Sequence, residues 1–217
     1  MKTMFKDRIE AGYALARRLS KYKNLAGIVL AVPKGGVPIG YVVANELSAP
    51  LELILSKKIG HPMHKEYAIG AVSLWGSFVV PHHEVPQSYI TEESTRIRNY
   101  LKQMQDKFMG GREPADLKNK TVIVIDDGIA TGNTLLATIN TLKQQQPAKI
   151  IVAVPVSTKS GYDIISKNCD ELIAEIIETG YFPGVGAYYG RFDDVSEDEV
   201  MYYLEKNRRK LHLDHQV

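Results

Sequence analysis

The stretch that decides the fold is Val122 to Thr134, which reads VIVIDDGIATGNT. It opens with four apolar residues, a pattern typical of a strand buried on both faces. Two carboxylates, Asp126 and Asp127, stand where that strand ends, and a loop containing Gly128 and Gly132 follows them. Apolar residues then recur at helical spacing. A strand, a glycine-containing loop and a helix in this order predict one unit of a parallel α/β sheet.

This stretch has the residues of a phosphate-binding loop beside an acidic pair. Glycines let backbone amides approach a ligand, and the amino end of a helix favours an anion. Thr131, Asn133 and Thr134 add polar donors, whereas Asp126 and Asp127 repel a phosphate. The combination favours a ligand with a phosphate at one end and hydroxyl groups or a metal at the other, such as a phosphorylated ribose. A turn, a capped helix and two solvated aspartates are the alternative interpretation.

The rest of the chain repeats the alternation of apolar strands and helices. Such alternation predicts right-handed crossovers and a mostly parallel twisted sheet flanked by helices, an α/β fold. The predicted strands are Gly27–Val32, Leu51–Leu55, Thr121–Ile125, Ile150–Val154 and Leu172–Ile177. The predicted helices are Asp7–Ser20, Val37–Leu47, Asn133–Gln145, Ser160–Lys167 and a last one that begins at the capping pair Ser196 and Glu199.

Two polar segments interrupt this pattern. Residues 81–115 are polar and contain a charged stretch, Thr91–Phe108, that favours a helix ended by two glycines. We interpret them as a helical insertion in a single domain of 217 residues, forming a small hood together with residues 178–195. Residues Lys57–Tyr67, with Gly60 and Pro62, are predicted to be a loop.

Composition favours a globular protein of a reducing compartment. The formal net charge is +2, which gives no support to a nucleic acid or an anionic membrane as partner. Cys169 is the single cysteine, so no internal disulfide can form. The first ten residues contain no apolar signal core, and no apolar run approaches the ~18 residues of a membrane span. The expected localisation is cytoplasmic.

The stretch from Val122 to Thr134 resembles the signature of the type I phosphoribosyltransferases, which bind 5-phosphoribosyl-1-pyrophosphate (PRPP). The chain is further similar to a group of bacterial predicted phosphoribosyltransferases whose acceptor is not settled. The shared segments are Pro33–Gly36, Lys57-Lys58 followed by Ala68–Val72, Asp126–Gly132 and Val185–Tyr189. The resemblance implies transfer of ribose 5-phosphate from PRPP to a small-molecule acceptor, Mg²⁺ as cofactor, a homodimer and a role in nucleotide metabolism such as purine salvage.

The resemblance also implies roles for individual residues. Asp126 and Asp127 would hold the ribose hydroxyls, directly or through Mg²⁺. The residues expected to hold the 5-phosphate are Gly128, Ile129, Ala130, Thr131, Gly132, Asn133 and Thr134. The residues expected at the pyrophosphate are Lys34, Gly35 and Gly36, together with Lys58 and the catalytic candidate Lys57 at the predicted end of the second strand. A solvated strand end is the alternative interpretation of these two lysines.

The acceptor side is less defined by sequence. Tyr181 or Phe182 would stack on a base and the backbone of Val185 would bind its edge, with core packing as the alternative. Glu66, on a loop in the position of the family's flexible lid, is the candidate acid or base, unless it is simply a solvated charge.

The residue before the Thr-Gly pair bears on the choice of acceptor. Enzymes for 6-oxopurines usually place an acid there, whereas this chain has Ala130. Hypoxanthine and guanine are therefore disfavoured relative to adenine or a non-purine nucleophile. A PRPP-sensing regulator without transfer activity, and a hydrolase or synthetase of phosphoribosyl compounds, are the alternatives.

Overall fold

The computed structural model describes residues 4–25, 27–64, 67–80 and 84–214. The strands are β1 Gly27–Ala31, β2 Leu51–Leu53, β3 Ser56–Gly60, β4 Ala68–Ser73, β5 Ser77–Val79, β6 Thr121–Ile125, β7 Lys149–Thr158 and β8 Glu171–Glu178. The helices are α1 Arg8–Arg18, α2 Gly36–Leu47, α3 Gln87–Met109, α4 Asn133–Lys143, α5 Lys159–Ser166 and α6 Glu197–Asp214. Within these ranges, no helix is both long and apolar enough to cross a membrane.

The main sheet has five strands in the order β2-β1-β6-β7-β8. All four neighbouring pairs are parallel, which confirms the predicted α/β sheet. Its central strands β1, β6 and β7 are almost entirely buried because helices cover both faces. Since the carboxyl ends of parallel strands share one edge, the segments that follow β1 and β6 lie side by side.

A second sheet corrects the predicted loop after the second strand. Residues 56–60 form β3, which pairs antiparallel with β4, and β4 pairs with β5. The alternation in β3 places Ile59 in the core while Lys57 and Lys58 stay exposed. Lys57 and Lys58 therefore lie within β3, in the second sheet, and not at the end of β2. Because β3 buries only its last two residues, its polar sequence did not indicate a strand.

This three-stranded sheet lies between helices α3 and α4. Helix α3 contacts β3, β4 and α6, whereas α4 contacts all three strands. Helix α3 begins after Pro86 and ends at Gly110, whose φ of 66° suits glycine, so the predicted charged helix is confirmed. The helix buries Ile90, Ile97 and Leu101 in the largest hydrophobic cluster.

The two segments assigned to a hood pack mostly in different clusters. Helix α3 belongs to the large cluster, as does Val195 at the end of the second segment, whereas residues between Phe182 and Phe192 pack around Phe5 in a separate small cluster. There Tyr188 and Tyr189 are buried, and Phe5 forms a parallel bridge with Tyr189. The segment thereby covers the side of the sheet edge where β7 ends. Its joining with residues 81–115 in one hood stays a prediction.

Helix α6 fixes the end of the described chain to the sheet. It begins with the expected pair: the Ser196 hydroxyl accepts a hydrogen bond from the Glu199 amide, and the Glu199 carboxylate accepts one from the Ser196 amide. Farther along, the buried Asn207 side chain accepts a hydrogen bond from the Leu51 amide and donates to the Ala49 carbonyl. A polar side chain thus ties α6 to the edge strand β2.

Candidate functional site

The loop that follows β6 is attached to the long strand β7. Strand β7 runs beyond the end of β6, and Ile129 forms a parallel bridge with Ser157 there. The Ile129 amide donates to the Val156 carbonyl at 2.9 Å, and the Thr158 amide donates to the Ile129 carbonyl at 2.9 Å. The Thr158 hydroxyl donates to the Ala130 carbonyl at 2.6 Å. Backbone pairing therefore gives this loop a defined shape.

The loop leads directly into the amino end of α4. Gly132 has a φ of 77°, a left-handed conformation that a side chain would strain. This turn leaves Thr131, Asn133 and Thr134 exposed around the first turn of the helix. The residue before the helix, Gly132, has no side chain to cap that end of α4, and the Thr131 hydroxyl accepts a long hydrogen bond of 3.5 Å from the Asn133 amide. The first amides of the helix, together with these side chains, therefore suit an anion such as a phosphate group.

The two carboxylates after β6 have different surroundings. Asp127 Oδ2 accepts hydrogen bonds from Arg8 Nε at 3.3 Å and Arg8 Nη2 at 3.0 Å. Asp126 Oδ1 accepts one from the Asp127 amide at 2.8 Å. Burial, and then the negative charge of Asp127, raise the pKa of Asp126 well above its ordinary value. Arg8 thus offsets the negative charge of Asp127, whereas burial disfavours ionisation of Asp126.

Arg8 also contacts the segment that follows Tyr188. Its guanidinium lies 3.9 Å from the centre of the Phe192 ring, and its Nη1 donates to the Asp193 carbonyl at 2.7 Å. The hydroxyl of Tyr189 donates to the Asp127 carbonyl at 2.7 Å. Burial, and then the charge of Asp127, raise the pKa of Tyr189, so its phenol remains a donor. These contacts surround the second acid on one side.

The loop after β1 packs against the acid pair. The Val32 amide donates to the Ile125 carbonyl at 2.8 Å, which continues the pairing of β1 with β6. A Cβ atom at Gly35 would lie 1.9 Å from Asp127 Oδ2, and one at Gly36 would lie 2.7 Å from the Ile125 carbonyl oxygen. Only glycine fits at either position. The structure therefore brings the predicted pyrophosphate loop and the predicted ribose acids into contact.

Lys34 lies exposed at the rim of this contact. The peptide bond between Pro33 and Lys34 is cis. A hydrogen bond from Lys107, together with the nearby charge of Lys34, lowers the pKa of Glu197 at the start of α6. The loop after β1, helix α3 and the amino end of α6 therefore converge on one charged region.

A cavity of about 500 Å³ lies on the other side of residues 128–134, the predicted phosphate loop, between α4 and the three-stranded sheet. Its lining brings Lys57 and Lys58 together with Thr131, Asn133 and Thr134. The acid pair and the loop after β1 do not line it. The predicted site residues therefore form two neighbouring groups that share the phosphate loop.

Lys57 and the turn after β3, where the lid is predicted, make contacts within the described part of the chain. The Lys57 ammonium lies 4.6 Å from the centre of the Tyr100 ring of α3. At the turn after β3, the His61 amide donates to the Tyr67 carbonyl and the Tyr67 amide donates to the His64 carbonyl, both at 2.8 Å. Glu66, the candidate acid or base, lies outside the described residues.

The segment assigned to the acceptor presents its three candidates differently. Tyr181 is 82% exposed, whereas Phe182 stacks on Tyr188 with ring centres 5.7 Å apart. The side chain of Val185 covers Gly128, where a Cβ atom would meet its methyl groups at 2.7 Å. Val185 is thus in contact with the loop beside the acids, and Tyr181 is the ring that is available for stacking.

Sequence reasoning missed Arg8, Phe192 and Thr158. Arg8 and Phe192 lie far from Asp127 along the chain, and an arginine at the start of a charged helix looks like a solvated cation. Thr158 carried a usable signal, because a threonine between an apolar strand and a helix is a typical cap. Its side chain does accept from the Gly161 amide.

Fold and site together define a parallel α/β domain with a loop suited to an anion and an acid pair at the carboxyl edge of its sheet. The particular family follows from comparison with known proteins: residues 6–185 match the phosphoribosyl transferase domain. The chain belongs to this family, which confirms the resemblance seen in the signature.

Similar proteins agree with this assignment. The crystal structure of TT1426 from Thermus thermophilus has a TM-score of 0.84 and 32% identity, covering 93% of this chain and 98% of that one. A Mycobacterium tuberculosis protein with a provisional phosphoribosyl transferase name is 31% identical over 211 residues, or 95% of this chain and 47% of the relative. The chain thus spans about half the length of these curated relatives. A uracil phosphoribosyltransferase of Mycoplasma genitalium is 30% identical over 79 residues, or 36% of this chain and 34% of that one.

Proposed function

We propose that this chain transfers ribose 5-phosphate from PRPP to a small-molecule acceptor and releases pyrophosphate. The observation that carries the proposal is the contact between Gly35 and the carboxylate of Asp127. It joins a glycine loop suited to one anion with an acid pair suited to hydroxyl groups. The amino end of α4, next to them, suits a second anion. PRPP presents its pyrophosphate, ribose and 5-phosphate in this order.

The residues divide the work of the transfer between them. The loop from Gly128 to Thr134 holds the 5-phosphate, and Asp126 and Asp127 hold the ribose hydroxyls. As the bond from C1 to pyrophosphate breaks, its electron pair leaves with pyrophosphate and positive charge develops on the ribose ring. Lys34 and the amides around Gly35 stabilise the leaving group, and the acceptor attacks C1 from the opposite face. Lys57 and Lys58 are a further source of positive charge beside the phosphate loop.

The acid pair fits a magnesium ion. Mg²⁺ prefers oxygen ligands and keeps several waters. Asp126 and Asp127 each have a carboxylate oxygen to which no described residue donates a hydrogen bond. These two oxygens would hold the ion directly or through the ribose hydroxyls, and the ion would supply neutralisation of the pyrophosphate.

The acceptor lies, in this proposal, next to Val185 and Gly128 on the open side of the loop. Tyr181 would stack on a base there, and Phe182 would support it through Tyr188. Ala130 provides no acid beside the base, so we propose an acceptor other than a 6-oxopurine. An acceptor of this kind, such as adenine, would place the chain in purine salvage, and a homodimer is the proposed assembly.

One experiment tests the proposal. The protein is incubated with PRPP, Mg²⁺ and a panel of nucleobases and amines, and pyrophosphate release is followed with Asp127→Asn as the matched control. We expect acceptor-dependent release by the natural sequence and a strong loss in the variant. Binding of PRPP without release for any acceptor would support a PRPP-sensing regulator instead. Release that needs no acceptor would indicate a hydrolase.

A further inference from the structure

Arg8 is enclosed by groups that belong to two distant parts of the chain. Its side chain is 11% exposed. Two of its nitrogens donate to Asp127 Oδ2, and its third donates to the Asp193 carbonyl. One face of the guanidinium lies on the Phe192 ring at 3.9 Å. Each nitrogen of this guanidinium therefore has a partner within the site region.

The geometry at Asp127 leaves one carboxylate oxygen for a ligand. Arg8 Nε and Nη2 converge on Oδ2 and none of the described residues donates to Oδ1. A Cβ atom at Gly35 would be 1.9 Å from Oδ2 but 3.3 Å from Oδ1, so the loop after β1 encloses the same oxygen that Arg8 holds. Rotation of the carboxylate would break both contacts. Its Oδ1 is consequently held in one direction.

Arg8 also joins the Asp127 carboxylate to residues 189–193, which follow the segment proposed to bind the acceptor. Residues 189–193 follow the turn in which Val185 contacts Gly128. Arg8 holds this segment at Phe192 and Asp193, while the Tyr189 hydroxyl holds the Asp127 backbone. A displacement of the Asp127 carboxylate would therefore be transmitted to the segment through one rigid planar group.

We propose that Arg8 is a positioning residue for the transfer reaction. It fixes the Asp127 carboxylate through one oxygen, offsets its charge beside the anionic donor, and couples PRPP binding to residues 189–193. This inference rests on the proposed function. It predicts that PRPP orders a segment that PRPP itself does not have to contact.

The first test is PRPP binding with Mg²⁺, measured by calorimetry on Arg8→Gln, Arg8→Lys and a matched control. Arg191→Gln is the control, because Arg191 links the same two segments through an ion pair with Asp7 at 2.6 Å and its side chain is 65% exposed. No described contact joins it to Asp126 or Asp127. We expect roughly tenfold weaker PRPP binding for Arg8→Gln, since a paired charge and its hydrogen bonds are lost. Arg191→Gln should stay within about twofold of the natural protein, as exposed ion pairs contribute little.

Arg8→Lys keeps the charge but loses the two-point geometry and the planar stacking. We expect it to bind PRPP about threefold to tenfold more weakly than the natural protein. Inorganic phosphate, which needs only the phosphate loop, should bind all variants alike. If Arg8→Lys matches the natural protein, positioning by geometry is overturned, and this outcome remains decisive even where Arg8→Gln fails to fold.

The second test is hydrogen exchange of residues 189–193. In the natural protein and in Arg191→Gln, saturating PRPP should slow exchange there, whereas in the two Arg8 variants it should not. Equal slowing in all four proteins would overturn the coupling. If the natural protein does not bind PRPP at all, the proposed function fails and takes this inference with it. Binding by the natural protein with unchanged Arg8 variants overturns the role of Arg8 alone.

Discussion

Gly35 packs directly against the carboxylate of Asp127, so that a Cβ atom at residue 35 would lie only 1.9 Å from Asp127 Oδ2. We therefore expect Gly35→Ala to displace the acid, with a cost on the order of 1–3 kcal/mol typical of an overpacked position. Calorimetry should show PRPP binding weakened by about tenfold or more. Gly180→Ala, where the nearest atom is a flexible Glu178 oxygen at 3.3 Å, is the control. Unchanged binding in Gly35→Ala would contradict the proposed loop contact.

Replacing Thr131 with valine keeps the shape of the side chain and removes its donor. Loss of a hydrogen bond to a charged phosphate costs about 1.5–3 kcal/mol, or roughly 10- to 150-fold in PRPP affinity. Thr95→Val is the control, because Thr95 is an exposed threonine of α3 that bonds only to its own helix. If calorimetry gave the same PRPP affinity for Thr131→Val and the natural protein, the assignment of this loop to the 5-phosphate would be wrong.

Asp127→Asn tests whether the acid pair binds ribose more than phosphate. The amide keeps the volume but loses the charge that ribose hydroxyls and Mg²⁺ would use, so Mg²⁺-dependent PRPP binding should fall by about tenfold or more. Inorganic phosphate binding at the loop should be unchanged. Equal losses for both ligands would mean that the acids only support the fold.

Ala130→Asp tests the choice of acceptor. The methyl group of Ala130 is exposed on the loop that follows the acids, and it offers no proton acceptor to a base. The natural protein should therefore use hypoxanthine and guanine poorly, whereas the variant should gain hypoxanthine turnover, since a placed acid or base contributes ~10²–10⁴ in rate. Steady-state rates for both purines measure this. Efficient hypoxanthine transfer by the natural protein would refute the argument.

Asn207→Ala tests the attachment of α6 to the sheet. The change leaves the Leu51 amide and the Ala49 carbonyl without their bonds to this side chain in a region where Asn207 is 2% exposed. The free energy of unfolding should fall by about 2 kcal/mol, as expected for buried groups that lose their bonds. Denaturant unfolding measures the change, and Gln103→Ala on the exposed face of α3 is the control. A cost below about 0.5 kcal/mol, the lower end for a single hydrogen bond, would contradict this account.

Much of the fold could be predicted because apolar periodicity reports burial directly. The strand at Val122–Ile125 and the helix after Gly132 follow from it. The start of α6 follows from a different local signal, the capping pair Ser196 and Glu199. The strand β3 could not be predicted in this way. It is covered by helices that come later in the chain, and its lysines remain exposed in the middle of the strand.

The candidate site could be proposed from the sequence where its residues are consecutive, and less so where segments distant along the chain meet. The loop from Gly128 to Thr134 is one such continuous segment. The pairing of Arg8 with Asp127 spans 119 residues and depends on how α1 packs on the sheet. No local pattern contains that information. The acceptor residues stay a prediction for the same reason, because they are arranged by contacts such as Val185 with Gly128.

The attachment of the phosphate loop to β7 has a consequence for how such a domain can diversify. Its shape is specified by main-chain bonds at Ile129 and by the Thr158 hydroxyl on the Ala130 carbonyl, none of which uses the exposed side chain of Ala130. Substitutions at residue 130 can therefore change the exposed surface of the loop without breaking the main-chain bonds that give it its shape. Under the proposed function, recognition of the donor and choice of the acceptor would then be separable properties of this loop, so that the second could change in evolution or by design while the first is retained.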